Sequence, residues 1–138
     1  MKNVLVLCTG NSCRSQIAHG YLAHFTTDKN VNIYSAGLEI HGVNPKAIQV
    51  MKEDGIDISH HTSNNVSEYS HVPFDLILTV CDHAHEHCPY FPSQAKRVHH
   101  NFPDPAKAKG PEEDVLQEFR KVRDLIKAYC FSFSKELC

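Results

Sequence analysis

Hydrophobic residues fall into short runs divided by polar segments, and the periodicity changes from run to run. Val4-Leu5-Val6-Leu7 is a continuous run, the pattern of a strand buried on both faces. The polar loop Thr9-Gly10-Asn11-Ser12 follows. From about Arg14 to Phe25, the spacing of Ile17, Tyr21, Leu22 and Phe25 puts apolar side chains on one helical face. Val31-Asn32-Ile33-Tyr34 predicts a second strand, closed by Ser35-Ala36-Gly37. Pro45 suits the first turn of a short helix to about Glu53, which Gly55 ends. Phe74 to Val80 reads as a third buried strand with Pro73 at its start, and residues 95–100 as a fourth. Glu112 to Tyr129 is a long amphipathic helix, with acids in its first turn and Lys127 in its last. The polar stretch from Ser59 to His71 is expected to be a mobile loop.

Strands alternating with helices imply an α/β three-layer sandwich. Its four-stranded parallel sheet has right-handed crossovers and helices on both faces. In such sheets ligands bind beyond the carboxyl ends of the strands. Cys8 and Cys81 each end a predicted strand, so two cysteines distant in sequence are expected to share one crevice. With no repeat, low-complexity tract or linker, residues 1–138 read as a single domain.

Composition narrows the function classes. A net charge of -2 argues against a general nucleic-acid or membrane-surface binder. No apolar run reaches the length of a signal segment or membrane span. The expectation is a cytoplasmic monomer that binds neither nucleic acid nor membrane. In a reducing cytosol the six cysteines point to redox or metal chemistry rather than to a disulfide framework.

The loop Cys8-Thr9-Gly10-Asn11-Ser12-Cys13-Arg14 carries the sharpest chemistry. A strand feeding a helix through small polar residues points successive backbone N–H groups at one spot, and that nest binds a tetrahedral anion. Gly10 permits backbone angles that other residues resist. Arg14 offers a bidentate fork for two anion oxygens. The same positive field favours the thiolate of Cys8, the reactive form, and the Ser15 hydroxyl offers that sulfur a hydrogen bond. Cys8 is thus read as the nucleophile and Arg14 as the charge clamp, with Thr9 to Ser15 as the oxyanion cradle. Cys13 lies in the cradle but reads as packing. A leaving oxygen needs a proton, and Asp104, stiffened by Pro105, is the candidate acid; a turn aspartate is the alternative.

The segment Cys81-Asp-His-Ala-His-Glu-His-Cys88-Pro89 allows three readings: a redox pair, a zinc site using the cysteines with His83, His85 and His87, or an inert surface. Were it helical, seven residues would separate the two Cα atoms by about 10 Å, whereas a disulfide needs roughly 7 Å or less. The redox reading therefore requires a loop, or a helix that unwinds, and Pro89 discourages helix just before it.

Several stretches together resemble the thioredoxin-coupled arsenate reductases, which share the low-molecular-weight tyrosine phosphatase fold. They are Leu7 to Gln16, Tyr34-Ser-Ala-Gly37, Met51 to Ser59, Cys81 to Pro89, Asp104-Pro-Ala106, Glu112-Glu113 and Phe119 to Asp124. The resemblance covers nearly the whole chain. It implies that Cys8 attacks arsenate while Arg14 and the loop amides hold the oxygens and Asp104 protonates the departing oxygen. Cys81 then attacks Cys8, releasing arsenite and leaving a Cys8–Cys81 disulfide. Cys88 converts this to a Cys81–Cys88 disulfide, which thioredoxin reduces. Phosphate or sulfate is expected to fit the same loop, and no cofactor or metal is called for. Phosphatases of this fold usually carry an aromatic residue after Asp-Pro, where this chain has Ala106, and they lack the cysteine pair.

Some members of the family bind potassium through an Asn, an acid, a Ser and an Asp. Asn11 and Ser35 match, but His19 and Asn64 stand at the other two positions, which argues against that site here. A small phosphotyrosine-type phosphatase is the alternative function, and a Cys/His sensor of metal or arsenite a second. His83, His85 and His87 read as solvated side chains, and Cys130 and Cys138 match no catalytic position.

Overall fold

The computed structural model describes residues 2–86 and 95–137. Strand β1 (Lys2–Cys8) is central and pairs in parallel with β2 (Val31–Gly37) on one side and β3 (Leu76–Thr79) on the other. β4 (Lys96–His99) adds to β3 in parallel, giving the order β2-β1-β3-β4. The continuous run Val4 to Leu7 is fully buried, as a central strand covered on both faces must be. Helix α1 (Arg14–Phe25), α2 (Pro45–Glu53) and α4 (Glu112–Leu137) touch one another and form one layer. The other face is served by shorter pieces: Tyr34, on the side of β2 opposite Ser35, packs edge-on against Tyr69 and Phe74. Tyr69 ends a 3-10 turn over Val66–Tyr69.

Two expectations change, and one point that the sequence left open is decided. α4 runs on to Leu137 rather than stopping at Tyr129. Cys130, Phe133 and Leu137 extend the buried stripe of Leu116, Phe119, Val122 and Ile126, so packing overrides the weak helix preference of the Phe-Ser-Phe-Ser stretch. The segment after Cys81 is not an open loop: Asp82–Glu86 forms a short helix, α3. Cys88, His87 and Pro89 lie outside the described residues, as does Cys138.

The polar stretch from Ser59 to His71 is also more structured than its composition suggests. Gly37 bridges to Asn65, and Asn65 with Glu68 forms a capping box on the 3-10 turn. Three successive residues, Thr62, Ser63 and Asn64, bond to the loop that follows β1 and to the start of α1.

Candidate active site

The parallel register brings the carboxyl ends of β1 and β3 side by side, with Leu7 opposite Thr79 and the Val80 amide donating to the Leu7 carbonyl at 3.0 Å. Cys8 and Cys81 therefore emerge next to each other, both 2% exposed. They line a cavity of about 660 Å³ together with Thr9, Gly10, Ser12, Cys13, Arg14 and Asp104. Most of the expected cradle thus faces one space, while Asn11 and Ser15 sit behind it, fully buried.

Those two residues set the loop and its sulfur. Asn11 is the one described non-glycine residue with a positive φ, at 48°. It is held there by the Asn64 amide, which donates to Asn11 Oδ1 at 2.8 Å, and by Gln16 Nε2, which donates to the Asn11 carbonyl at 3.1 Å. Because the Asn64 amide can only donate, Asn11 must turn its own Nδ2 toward Ser15 Oγ, 2.7 Å away. Ser15 accepts that bond and also accepts from the Cys8 thiol, Sγ to Oγ 2.9 Å; its own proton is free to turn to the sulfur once that thiol ionises. Cys13 Sγ also meets a hydroxyl, Ser12 Oγ at 3.8 Å, but burial outweighs that contact and pushes its thiol up to about 12, so it stays protonated at neutral pH.

Arg14 opens α1. No side chain caps that helix and no acid lies in its first turn, so nothing competes with an anion for the amide ends. Arg14 Nη1 donates to the Phe102 carbonyl at 3.1 Å and Nη2 stands 3.7 Å from Asp104 Oδ2. The other carboxylate oxygen of Asp104 accepts from the Ala106 amide at 3.0 Å, an Asx turn that fixes the acid on the crevice wall. Cys81 Sγ lies 3.4 Å from Thr9 Oγ1 and 3.4 Å from the Ala84 amide.

The profile of the low molecular weight phosphotyrosine protein phosphatases matches residues 3–138. The chain belongs to this phosphatase family. Within the family it lies beside arsenate reductases. One from Halalkalibacterium halodurans is 50% identical over 125 residues, covering 91% of this chain and 89% of its own length. Among solved structures, an arsenate reductase in its oxidized state aligns over 100% of both chains with a TM-score of 0.82 at 27% identity. An arsenate reductase in a phosphate-binding state does so with a TM-score of 0.74, also at 27% identity.

Not every device found in this phosphatase family fits the chain. Where some members carry potassium ligands, His19 Nδ1 lies 2.8 Å from Ser35 Oγ and its ring is tilted against His61, with centroids 4.5 Å apart. Burial, and then the neighbouring His61 and His60, lower His19 to about 4, so it is neutral at physiological pH. Asn64 spends its side-chain amide on Glu68 at 3.2 Å. Neither position supplies a carboxylate, and the Asn64 side-chain oxygen is already taken by the Thr62 hydroxyl at 2.7 Å, which does not suit a potassium ion.

Several residues that matter here had weak signals in the sequence. A Cβ on Gly37 would come within 2.8 Å of three backbone atoms, one of them the Asn11 amide nitrogen, so only glycine lets β2 pass this close to the loop. Gln16 and Thr62 share a bond of 2.9 Å that ties the loop to the stretch read as mobile. Gly37 and Gln16 both lie in stretches that carry the resemblance, but nothing in one sequence shows which neighbour each one meets.

Proposed function

We propose that the protein reduces arsenate to arsenite and passes the oxidation along Cys8, Cys81 and Cys88. The observation that carries this reading is the second thiol. Cys81 stands beside Cys8 at the mouth of the same oxyanion loop, which a phosphatase mechanism does not need. Cys8 attacks arsenate, a Cys8–arsenic bond forms, and one oxygen leaves with a proton from Asp104. Arg14 and the amides from Thr9 to Ser15 spread the charge of the remaining oxygens. The Cys81 thiolate then attacks the Cys8 sulfur. The sulfur–arsenic bond breaks with its electron pair left on arsenic, so arsenic is reduced and leaves as arsenite while the two sulfurs are oxidised to a disulfide. Cys88 exchanges into that bond, and thioredoxin reduces the resulting Cys81–Cys88 pair.

The reading places the protein in the cytoplasm as a monomer. No helix among the described residues is long and apolar enough to cross a membrane. Phosphate, with the shape and charge of arsenate, should compete for the loop, so weak phosphatase activity does not distinguish the two functions. The discriminating assay follows arsenate-dependent NADPH oxidation with thioredoxin and its reductase. Cys8→Ser should abolish it, and Cys81→Ser and Cys88→Ser should each stop multiple turnover. Full turnover by Cys88→Ser would sink the relay.

A further inference from the structure

The proposed relay demands that Cys81 point at Cys8, and the described part of the helix that follows Cys81, Asp82–Glu86, is too short to gain much from its own hydrogen bonds. Its position is set from outside, by residues at the carboxyl ends of β3 and β4. His99, the last residue of β4, lies between two elements. Its Nε2 is 2.7 Å from Asp82 Oδ1 at the start of α3, and its Nδ1 is 2.8 Å from Thr79 Oγ1 at the end of β3. The carboxylate can only accept, so the Nε2 proton points at Asp82 and Nδ1 is free to accept from the threonine hydroxyl. The same ring stacks on His85, one turn further along α3, at 4.2 Å with 20° between the planes. Asn101 Oδ1, two residues beyond, accepts from the Asp82 amide at 3.0 Å. Val80 before Cys81 is held to β1, and Asp82 after it is held to β4 and the loop that follows, so the Cys81 side chain is fixed from both sides.

We propose that His99 is a positioning residue for the thiol relay: it latches α3 through Asp82 and His85 and thereby aims Cys81 at the sulfur of Cys8. This rests on the relay reading above. Neither His99 nor Asp82 has a part in the attack by Cys8 as proposed above, although Asp82 shares the wall of the cavity. Their contribution falls on the next step, where a sulfur rather than an oxyanion must be approached along a defined line.

The test measures two things on the Cys88→Ser protein, in which the relay halts at the first disulfide. One is the rate of Cys8–Cys81 disulfide formation after a single addition of arsenate. The other, needing no arsenate, is amide hydrogen exchange across α3. His99→Phe keeps a ring for His85 but loses both hydrogen bonds; Asp82→Ala removes only the exposed carboxylate and should leave the core intact. Each is expected to slow disulfide formation about five- to tenfold, the scale of one or two net hydrogen bonds, and to speed exchange at Ala84 and His85. Asp82→Asn, which retains an acceptor oxygen, should restore most of the rate. The double variant should be no slower than the slower single one, because both remove the same latch. Wild-type rate and exchange in Asp82→Ala, or additive losses in the double variant, would overturn the latch. If Cys81→Ser still reduces arsenate at full speed, the relay fails instead, and the exchange data judge the latch separately.

Discussion

At the scale of single residues, the chemistry depends on hydrogen-bond directions that are forced rather than chosen. The Asn64 amide orients Asn11, Asn11 fixes Ser15, and Ser15 accepts from the Cys8 thiol and stands ready to donate to its thiolate. Ser15→Ala should therefore slow alkylation of Cys8 by iodoacetamide at pH 7 about fivefold, with Cys13 remaining unreactive; peptide mass spectrometry of the alkylated protein reports both thiols. His19 gives a stability prediction. Held neutral inside the fold, it takes up no proton between pH 6.5 and about 4, whereas the unfolded chain does. Acid thus favours unfolding across that window, and His61, lowered in the same direction by burial, adds to the effect. Urea unfolding at pH 7 and pH 4.5 should show wild type losing more stability than His19→Gln, by about 3 kcal/mol at most.

At the scale of elements, what each segment packs against decides its extent. The last two turns of α4 read poorly as helix, but Phe133 and Leu137 are 5% and 3% exposed and continue the stripe that meets α1, where Cys130 Sγ lies 3.8 Å from the Ala18 carbonyl. Phe133→Ala should cost about 3 kcal/mol in urea unfolding while leaving the arsenate reaction of the folded protein unchanged. α2 is joined to α4 by Glu53, which accepts from Arg120 and Arg123. The stretch from Ser59 to His71 shows the converse of α4. Its polar composition suggested freedom, but Thr62 and Asn64 are partners of Gln16 and Asn11. A polar segment is a loose loop only when its polar groups face water, and composition does not say which way they face.

At the scale of the whole molecule, the crevice arises because β3 lies directly against β1, which places an acid and a second thiol around a loop made elsewhere. Asp104 reaches the wall through the turn at Pro105, and its proposed role as proton donor predicts that losing the carboxyl hurts chemistry more than binding. Asp104→Asn is expected to slow the first step about a hundredfold with little change in the competition by phosphate, read from single-turnover rates at rising phosphate. The sequence alone determined the alternation of strands and helices and the oxyanion loop, because both depend on residues within a dozen positions of each other. It also placed Cys8 at the end of a strand and Cys81 just beyond one, although β3 stops at Thr79, short of the expected Val80. Only the tertiary structure decided that those strands are neighbours, that Asn11 and Ser15 stand behind the loop, and that Gly37 must be glycine. It likewise decided that His99 reaches Asp82. Each of these is a contact between segments far apart in the chain, fixed by sheet order and packing, and no local pattern of residues encodes it.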